Sequence, residues 1–233
     1  MWRAAGLSLL LLLGLAGLAS CSVEPPATVQ AAEMRSVWQV FIYAGIAVYA
    51  IVAGLILWGA LAYPRRNRQI RQAAKFHQNT ALEIVWTVIP VLIVAGLFVK
   101  TYVVEAKVEH VSSNPAEVVD VIGYRWSWRF TYPRYGIAID GSPKVPPVLV
   151  LPAGETTRVN LTSSDVIHSF WIPAFTFKRD ANPGMNNQFD LTPTRTGTYL
   201  GRCAEYCGTF HALMDFKVRV VPRDEFARWI HAR

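Results

Sequence analysis

Apolar positions follow two regimes along this chain. Up to about residue 104 they form long unbroken runs. Beyond it they fall into short segments separated by Pro, Gly, Asn and Asp. Val40 to Leu61 carries no charged residue, and roughly 20 apolar residues suffice to cross a bilayer core, so a transmembrane helix is predicted there. Trp38, Tyr43, Trp58 and Tyr63 cluster toward its ends, where aromatic rings favour the interface. A second span is predicted over Thr80–Val99, with Pro90 inside it and Lys100 able to snorkel at its end. In the later regime Val118–Ile122, Trp126–Tyr132, Val148–Leu151, Thr156–Thr162, His168–Ile172, Gln188–Leu191, Thr198–Gly201 and Phe216–Val221 read as strands. Many short strands at such spacing predict a β-sandwich or barrel. Arg223–Ile230 reads as a short terminal helix.

A third apolar run, Leu7 to Leu18, is too short to span a bilayer and follows the single basic residue Arg3. It ends in Leu18-Ala19-Ser20-Cys21, so residues 1–20 read as a lipoprotein-type signal peptide and Cys21 as a lipid-anchor cysteine. Residues 21–39, with Pro25-Pro26, read as an extracytoplasmic linker. Residues 40–104 are the expected transmembrane hairpin, and 105–233 the outer domain. The short loop between the spans holds Arg65, Arg66, Arg68, Arg71 and Lys75 without an acid, which assigns it to the cytoplasm. Both termini then lie outside.

Composition sharpens this picture. The 233 residues are 52% hydrophobic and 17% charged, against about 45–50% and about 25% in soluble domains. Intrinsic disorder is excluded, and three cysteines are too few for a disulfide scaffold. Of the net charge of +7, residues 1–104 carry +5 and residues 105–233 only +2. A nucleic-acid binder would concentrate charge on its globular part, so no nucleic-acid partner is expected.

The most informative stretch is Cys203-Ala204-Glu205-Tyr206-Cys207-Gly208-Thr209-Phe210-His211-Ala212-Leu213-Met214, a C-x3-C-x3-H-x2-M pattern with His168 upstream. Four readings compete. A disulfide suits a domain outside the cytoplasm but leaves His168, His211 and Met214 unexplained. A structural zinc site needs four ligands and no methionine. A mononuclear blue copper site leaves one cysteine over. Two thiolates bridging two copper ions use every ligand, each copper taking one histidine and the weak positions falling to the Met214 thioether and the Glu205 carbonyl. Soft sulfur selects copper over hard cations. Glu83, near the start of the second span, is either an interfacial glutamate or a proton-path residue.

These residues resemble subunit II of the haem–copper oxidases, in the cytochrome c oxidase branch, over nearly the whole chain. The resemblance implies a transmembrane hairpin followed by an all-β, cupredoxin-like Greek-key domain with a dinuclear copper centre of the CuA type. It implies copper binding by the side chains of His168, Cys203, Cys207, His211 and Met214 and by the Glu205 carbonyl. The Glu205 carboxylate would help hold magnesium or manganese against subunit I. Gly123-Tyr124-Arg125-Trp126-Ser127-Trp128 resembles the family's aromatic stretch, which makes Trp126 the point where electrons enter. Glu83, three residues before Trp86, matches the glutamate at the mouth of a proton channel. Phe177–Gly184 resembles a loop packing on subunit I, with Met185 where many members carry arginine.

The implied role is that of the subunit passing electrons from cytochrome c to haem in subunit I, where oxygen is reduced to water coupled to proton translocation. The chain would not be active alone, since the haems lie only in the partner. Subunits I and III, cytochrome c and a bacterial cell membrane are the implied partners and setting. A copper-bearing subunit of a nitric oxide reductase is the alternative enzyme, and a membrane-tethered copper chaperone is the non-enzymatic one. The absence of C-x-x-C-H excludes a fused c-type haem. The +2 of the outer domain argues against strong steering of a basic cytochrome.

Overall fold

The structure, a computed structural model, describes residues 25–63 and 78–233. Residues 1–24, with Cys21 and the segment read as a signal peptide, and residues 64–77, the basic loop, lie outside the described residues. Two units are present: the described residues up to Ala32 together with Val111–Arg233, and Glu33–His110.

Two long helices, α1 (Val29–Ala62) and α2 (Thr80–Val108), are each long and apolar enough to cross a membrane. Both run past the apolar segments that predicted them. Thr28 caps α1 through Oγ1, which accepts from Ala31 N–H at 2.9 Å. The good helix formers Gln30, Ala31, Ala32, Glu33, Met34 and Arg35 then carry the helix into the apolar run. The linker read over 21–39 is thus helical from Val29. At the other end, α2 continues beyond Val99 to Val108, where Lys107 pairs with Glu33 at 3.4 Å. Asn79 caps α2, its Oδ1 accepting from Leu82 N–H at 3.0 Å, and Glu83 lies in the first turn, where its charge complements the helix dipole. Pro90 is accommodated inside the helix.

The β unit contains ten strands: β1 (Glu117–Tyr124), β2 (Ser127–Tyr132), β3 (Ile137–Asp140), β4 (Val148–Pro152), β5 (Thr157–Ser163), β6 (His168–Ile172), β7 (Phe177–Ala181), β8 (Asn187–Leu191), β9 (Gly197–Cys203) and β10 (Asp215–Val221), closed by α3 (Arg223–His231). They form two five-stranded sheets, ordered β3-β2-β1-β5-β8 and β4-β10-β9-β6-β7. The pairs β1/β5 and β10/β4 are parallel and the other pairs antiparallel, the crossed connectivity of a Greek-key sandwich.

Alternation drives this packing. In β1, Val119 and Val121 point inward, and in β5, Val159 and Leu161. Between the sheets lies an aromatic cluster. Phe170 and Phe216 stack at 4.6 Å, and Trp128 meets both edge-on at 5.6 and 5.5 Å. Each such ring stabilises the fold by about 1.5–3 kcal/mol through burial.

Two strands escape the sequence reading. β3 follows a short helical turn at Pro133–Tyr135 with Gly136 left-handed (φ 66°), so no long alternating run announces it. β7 interposes Lys178, Arg179 and Asp180 between its two buried ends. The stretch read as a loop from Phe177 is therefore strand as far as Ala181. Trp126 lies in the turn before β2 rather than within the strand.

At the N-terminal edge of the β unit, Val29 N–H donates to Thr192 O at 3.0 Å and Thr194 N–H to Ala27 O at 2.9 Å. Ala27, Thr28 and Ala31 are buried. Pro25–Ala31 is therefore tied down rather than a free linker.

Candidate metal centre

Strand register gathers the site. Tyr124 pairs with Ser127 and Gly123 with Ser163, so the turn carrying Trp126 and the β5–β6 turn leave the same end of the sandwich. Phe170 pairs with Cys203, and Arg202 with Asp215. The segment 204–214 therefore projects from that same end, beside the first residue of β6, His168.

At this end the structure brings together His168, Cys203, Glu205, Cys207, His211 and Met214. Cys203 and Cys207 are buried free thiols with sulfurs 3.9 Å apart, against about 2.05 Å in a disulfide. His168 Nδ1 lies 3.9 Å from Cys203 Sγ, and His211 Nδ1 lies 3.6 Å from Cys207 Sγ. Met214 Sδ is 3.7 Å from Cys207 Sγ, and the Glu205 carbonyl oxygen is 3.2 Å from Cys203 Sγ. Among the described residues, His168, Cys203 and Cys207 form a group of His, Cys, Asp or Glu donors with the mutual spacing to hold a metal ion. The Glu205 side chain is exposed.

The electrostatics favour a cation. Burial and, after it, the neighbouring Cys203 push the Cys207 thiol up to about 12. Such a pair becomes dithiolate when a bound cation supplies the opposing charge. Burial lowers the pKa of His168 although Asp165 pulls it the other way, which leaves a neutral ring with a lone pair to offer. At Asp165 burial opposes ionisation. Hydrogen bonds from His168, from the N–H groups of Val166 and Arg125 and from the Arg125 side chain outweigh it and hold the carboxyl at about 2. Two sulfurs flanked by two imidazole nitrogens, a thioether and a carbonyl are a soft donor set of the kind that selects copper. Zinc would leave the buried Met214 sulfur without a role.

Several residues shape this loop without being donors. Trp126 Nε1–H donates to the Cys207 carbonyl at 3.1 Å, and Trp128 Nε1–H to the Met214 carbonyl at 3.4 Å. Cys203 N–H donates to Met214 O at 3.0 Å, closing the loop on itself. Gly208 has φ 116°, and a Cβ there would meet the Trp126 indole nitrogen at 3.3 Å. At Gly123 a Cβ would lie 3.0 Å from His168 Cδ2, so only glycine lets β1 approach the ring this closely. The sequence reading did not single out Asp165, Gly123 or Gly208. An acid three residues before the candidate ligand His168 was the available signal for Asp165.

Other predicted residues lie apart. Glu83 stands in the first turn of α2, in the other unit, with Thr87 Oγ1 donating to its backbone carbonyl at 2.8 Å. Cys21 falls outside the described residues.

Two apolar helices leading into a Greek-key sandwich with a buried soft-donor cluster define a membrane-anchored protein of cupredoxin-like, copper-site type. Residues 18–102 match the model of the cytochrome c oxidase subunit II transmembrane domain, and residues 117–221 that of its periplasmic domain. Cytochrome c oxidase subunit 2 of Mycobacterium tuberculosis is 33% identical over 85% of this chain and 71% of its own length. That of Corynebacterium glutamicum is 33% identical over 95% and 83%. The crystallised periplasmic domain of subunit II of cytochrome oxidase of Bradyrhizobium japonicum is 32% identical, covering 52% of this chain and 96% of that one, with a TM-score of 0.48. The chain belongs to the cytochrome c oxidase subunit II family. It is a membrane-protein subunit of an oxidoreductase complex, with a periplasmic domain and a subunit I as partner.

Proposed function

We propose that this chain is the subunit through which electrons enter a terminal cytochrome c oxidase, by way of a dinuclear copper centre. The observation that carries this is the convergence of two buried sulfurs 3.9 Å apart, each with an imidazole Nδ1 beside it. Cys203 and Cys207 would hold the coppers by their thiolates and His168 and His211 by their imidazoles, with Met214 Sδ and the Glu205 carbonyl completing the donor set. When bound, such a centre would supply one-electron acceptance and release.

The protein's own residues do the rest. The sandwich fixes His168 on a strand, and the two indoles pin the carbonyls of Cys207 and Met214. Trp126 is half-buried at the end of the sandwich that holds the site. Its indole N–H donates to the backbone carbonyl of Cys207 at 3.1 Å, so its ring would offer an electron from cytochrome c a hydrogen-bonded route inward. Delivery then runs to haem in subunit I, where oxygen is reduced with proton translocation, and the chain has no oxygen chemistry alone. The exposed Glu205 carboxylate would hold magnesium or manganese against subunit I. Glu83 would stand at the mouth of a proton path. Subunit III would complete the complex, both termini would face the periplasm, and Cys21 would carry the lipid anchor.

The test is rapid mixing of the assembled complex with reduced cytochrome c. Trp126→Phe keeps its copper, loses the bond to Cys207 O and slows the first electron by an order of magnitude or more. A rate equal to that of the unmodified complex contradicts the assignment of Trp126.

A further inference from the structure

We propose that Asp165 is a positioning residue for the copper centre: its carboxylate holds the His168 ring with Nδ1 toward the sulfurs and ties that ring to the turn bearing Trp126. This rests on the copper reading above and goes beyond its donor set.

The geometry is specific. His168 Nε2 lies 2.8 Å from Asp165 Oδ1. A carboxylate only accepts, so the ring N–H sits on Nε2, and the lone pair of Nδ1 is left facing Cys203 Sγ at 3.9 Å. The opposite oxygen, Oδ2, accepts from the Arg125 backbone N–H at 2.7 Å and from Arg125 Nε at 3.2 Å. Val166 N–H donates to Oδ1 at 2.6 Å, and Asp165 N–H donates to Ser163 Oγ at 3.2 Å. The carboxylate is thus fixed from both sides of its own turn. One oxygen serves the metal ligand, and the other serves the residue directly before Trp126.

Among the described residues, Asp165 is the acceptor that reaches His168 Nε2. His168 is fully buried, Gly123 presses against one side of its ring, and Trp128 meets it edge-on at 6.0 Å. With the ring walled in, its N–H has Asp165 as its acceptor. His211 offers the contrast: its ring is half-buried, and its Nε2 has no hydrogen-bond partner among the described residues. A carboxylate behind a ligand imidazole orients it and raises its basicity, and loss of such a group typically costs about 10–100-fold in metal affinity. A negative charge held beside the centre also favours its oxidised, more positive state.

The experiment uses the assembled oxidase carrying Asp165→Asn, Asp165→Ala or Arg125→Gln. Copper retention against a chelator and the midpoint potential of the copper centre are both measured. Asp165→Asn keeps an oxygen for Nε2–H but removes the charge, so it keeps its copper and its midpoint potential rises. Asp165→Ala loses the acceptor, and copper affinity falls about 10–100-fold. Arg125→Gln removes the cation opposing the same carboxylate, and the potential moves down. A fold defect alone would not move the potential in opposite directions for the two charge variants. An Asp165→Asn potential equal to that of the unmodified complex, with copper-replete protein, overturns the role of Asp165 and leaves the copper reading intact. If the unmodified chain binds no copper, both fall together.

Discussion

The two histidines of the proposed metal centre reach the same pair of sulfurs from unlike supports. His168 opens a strand whose neighbours are hydrogen-bonded on both sides, β7 and β9. It is fully buried, and a carboxylate holds its far nitrogen at 2.8 Å. His211 opens a short helical turn, His211–Leu213. It is half-buried, and its ring neighbour is Tyr206, 5.8 Å away and itself 78% exposed. The first wall of the site belongs to the sandwich core. The second belongs to a loop that the core holds by its backbone, through Trp126, Trp128 and the Cys203–Met214 bond, by the buried Met214 side chain, and by the Phe210 ring, edge-on to Trp126 at 5.0 Å. A centre built this way has one side set by folding and one side left open for partners.

The largest effects come from breaking what both walls share. Cys203→Ser or Cys207→Ser removes one of the two sulfurs of the proposed copper centre, and the expected outcome is loss of its copper in metal analysis of either variant. Truncating the histidines separates the walls. His211→Gly opens a cavity toward solvent, so added imidazole restores copper and its spectrum. His168→Gly opens one inside the core, where imidazole does not restore it. Equal rescue at both positions would erase the comparison.

Stability draws the same line. Trp128 is fully buried among Phe170, Phe216 and His168, and Trp128→Ala costs about 3–5 kcal/mol in denaturant unfolding of the β unit. Tyr206→Ala, on the open side, stays within about 0.5 kcal/mol.

A smaller effect appears at high pH. Tyr132 is fully buried, its hydroxyl donating to Val150 O at 2.9 Å and accepting from Val150 N–H at 2.8 Å. Burial raises its pKa well above the ordinary phenol value. The folded state therefore keeps the phenol neutral while the unfolded chain ionises near pH ~10. The stability it contributes is complete below that pH and declines as pH rises through the folded-state pKa. Tyr132→Phe loses about 1–3 kcal/mol near neutrality and shows a flatter decline in thermal stability across the alkaline range.

Much of this was legible before any coordinates, for local reasons. Twenty-two uncharged residues from Val40 announce a span whatever surrounds them. The donors from Cys203 to Met214 lie within one loop, so their spacing alone exposes them. The ends of the helices were not legible, because Gln30–Arg35 is helical by propensity and capping rather than by hydropathy, and Thr101–Val108 continues α2 beyond Lys100, where the expected span had closed. β7 hid behind Lys178, Arg179 and Asp180, whose charges suit the edge strand it turns out to be. Asp165 hid for a different reason. Its partners are His168, three residues on, and Arg125, forty residues back, and only the pairing of β1 with β5 makes those two neighbours. Supports of a site are non-local even where its ligands are local.

The most direct test of the central claim is a metal count on the full chain in the assembled complex, with electron paramagnetic resonance of the oxidised state. The account predicts two coppers per chain and hyperfine structure from one unpaired electron shared over both nuclei. A single copper with the splitting of one nucleus, or zinc in its place, would contradict it.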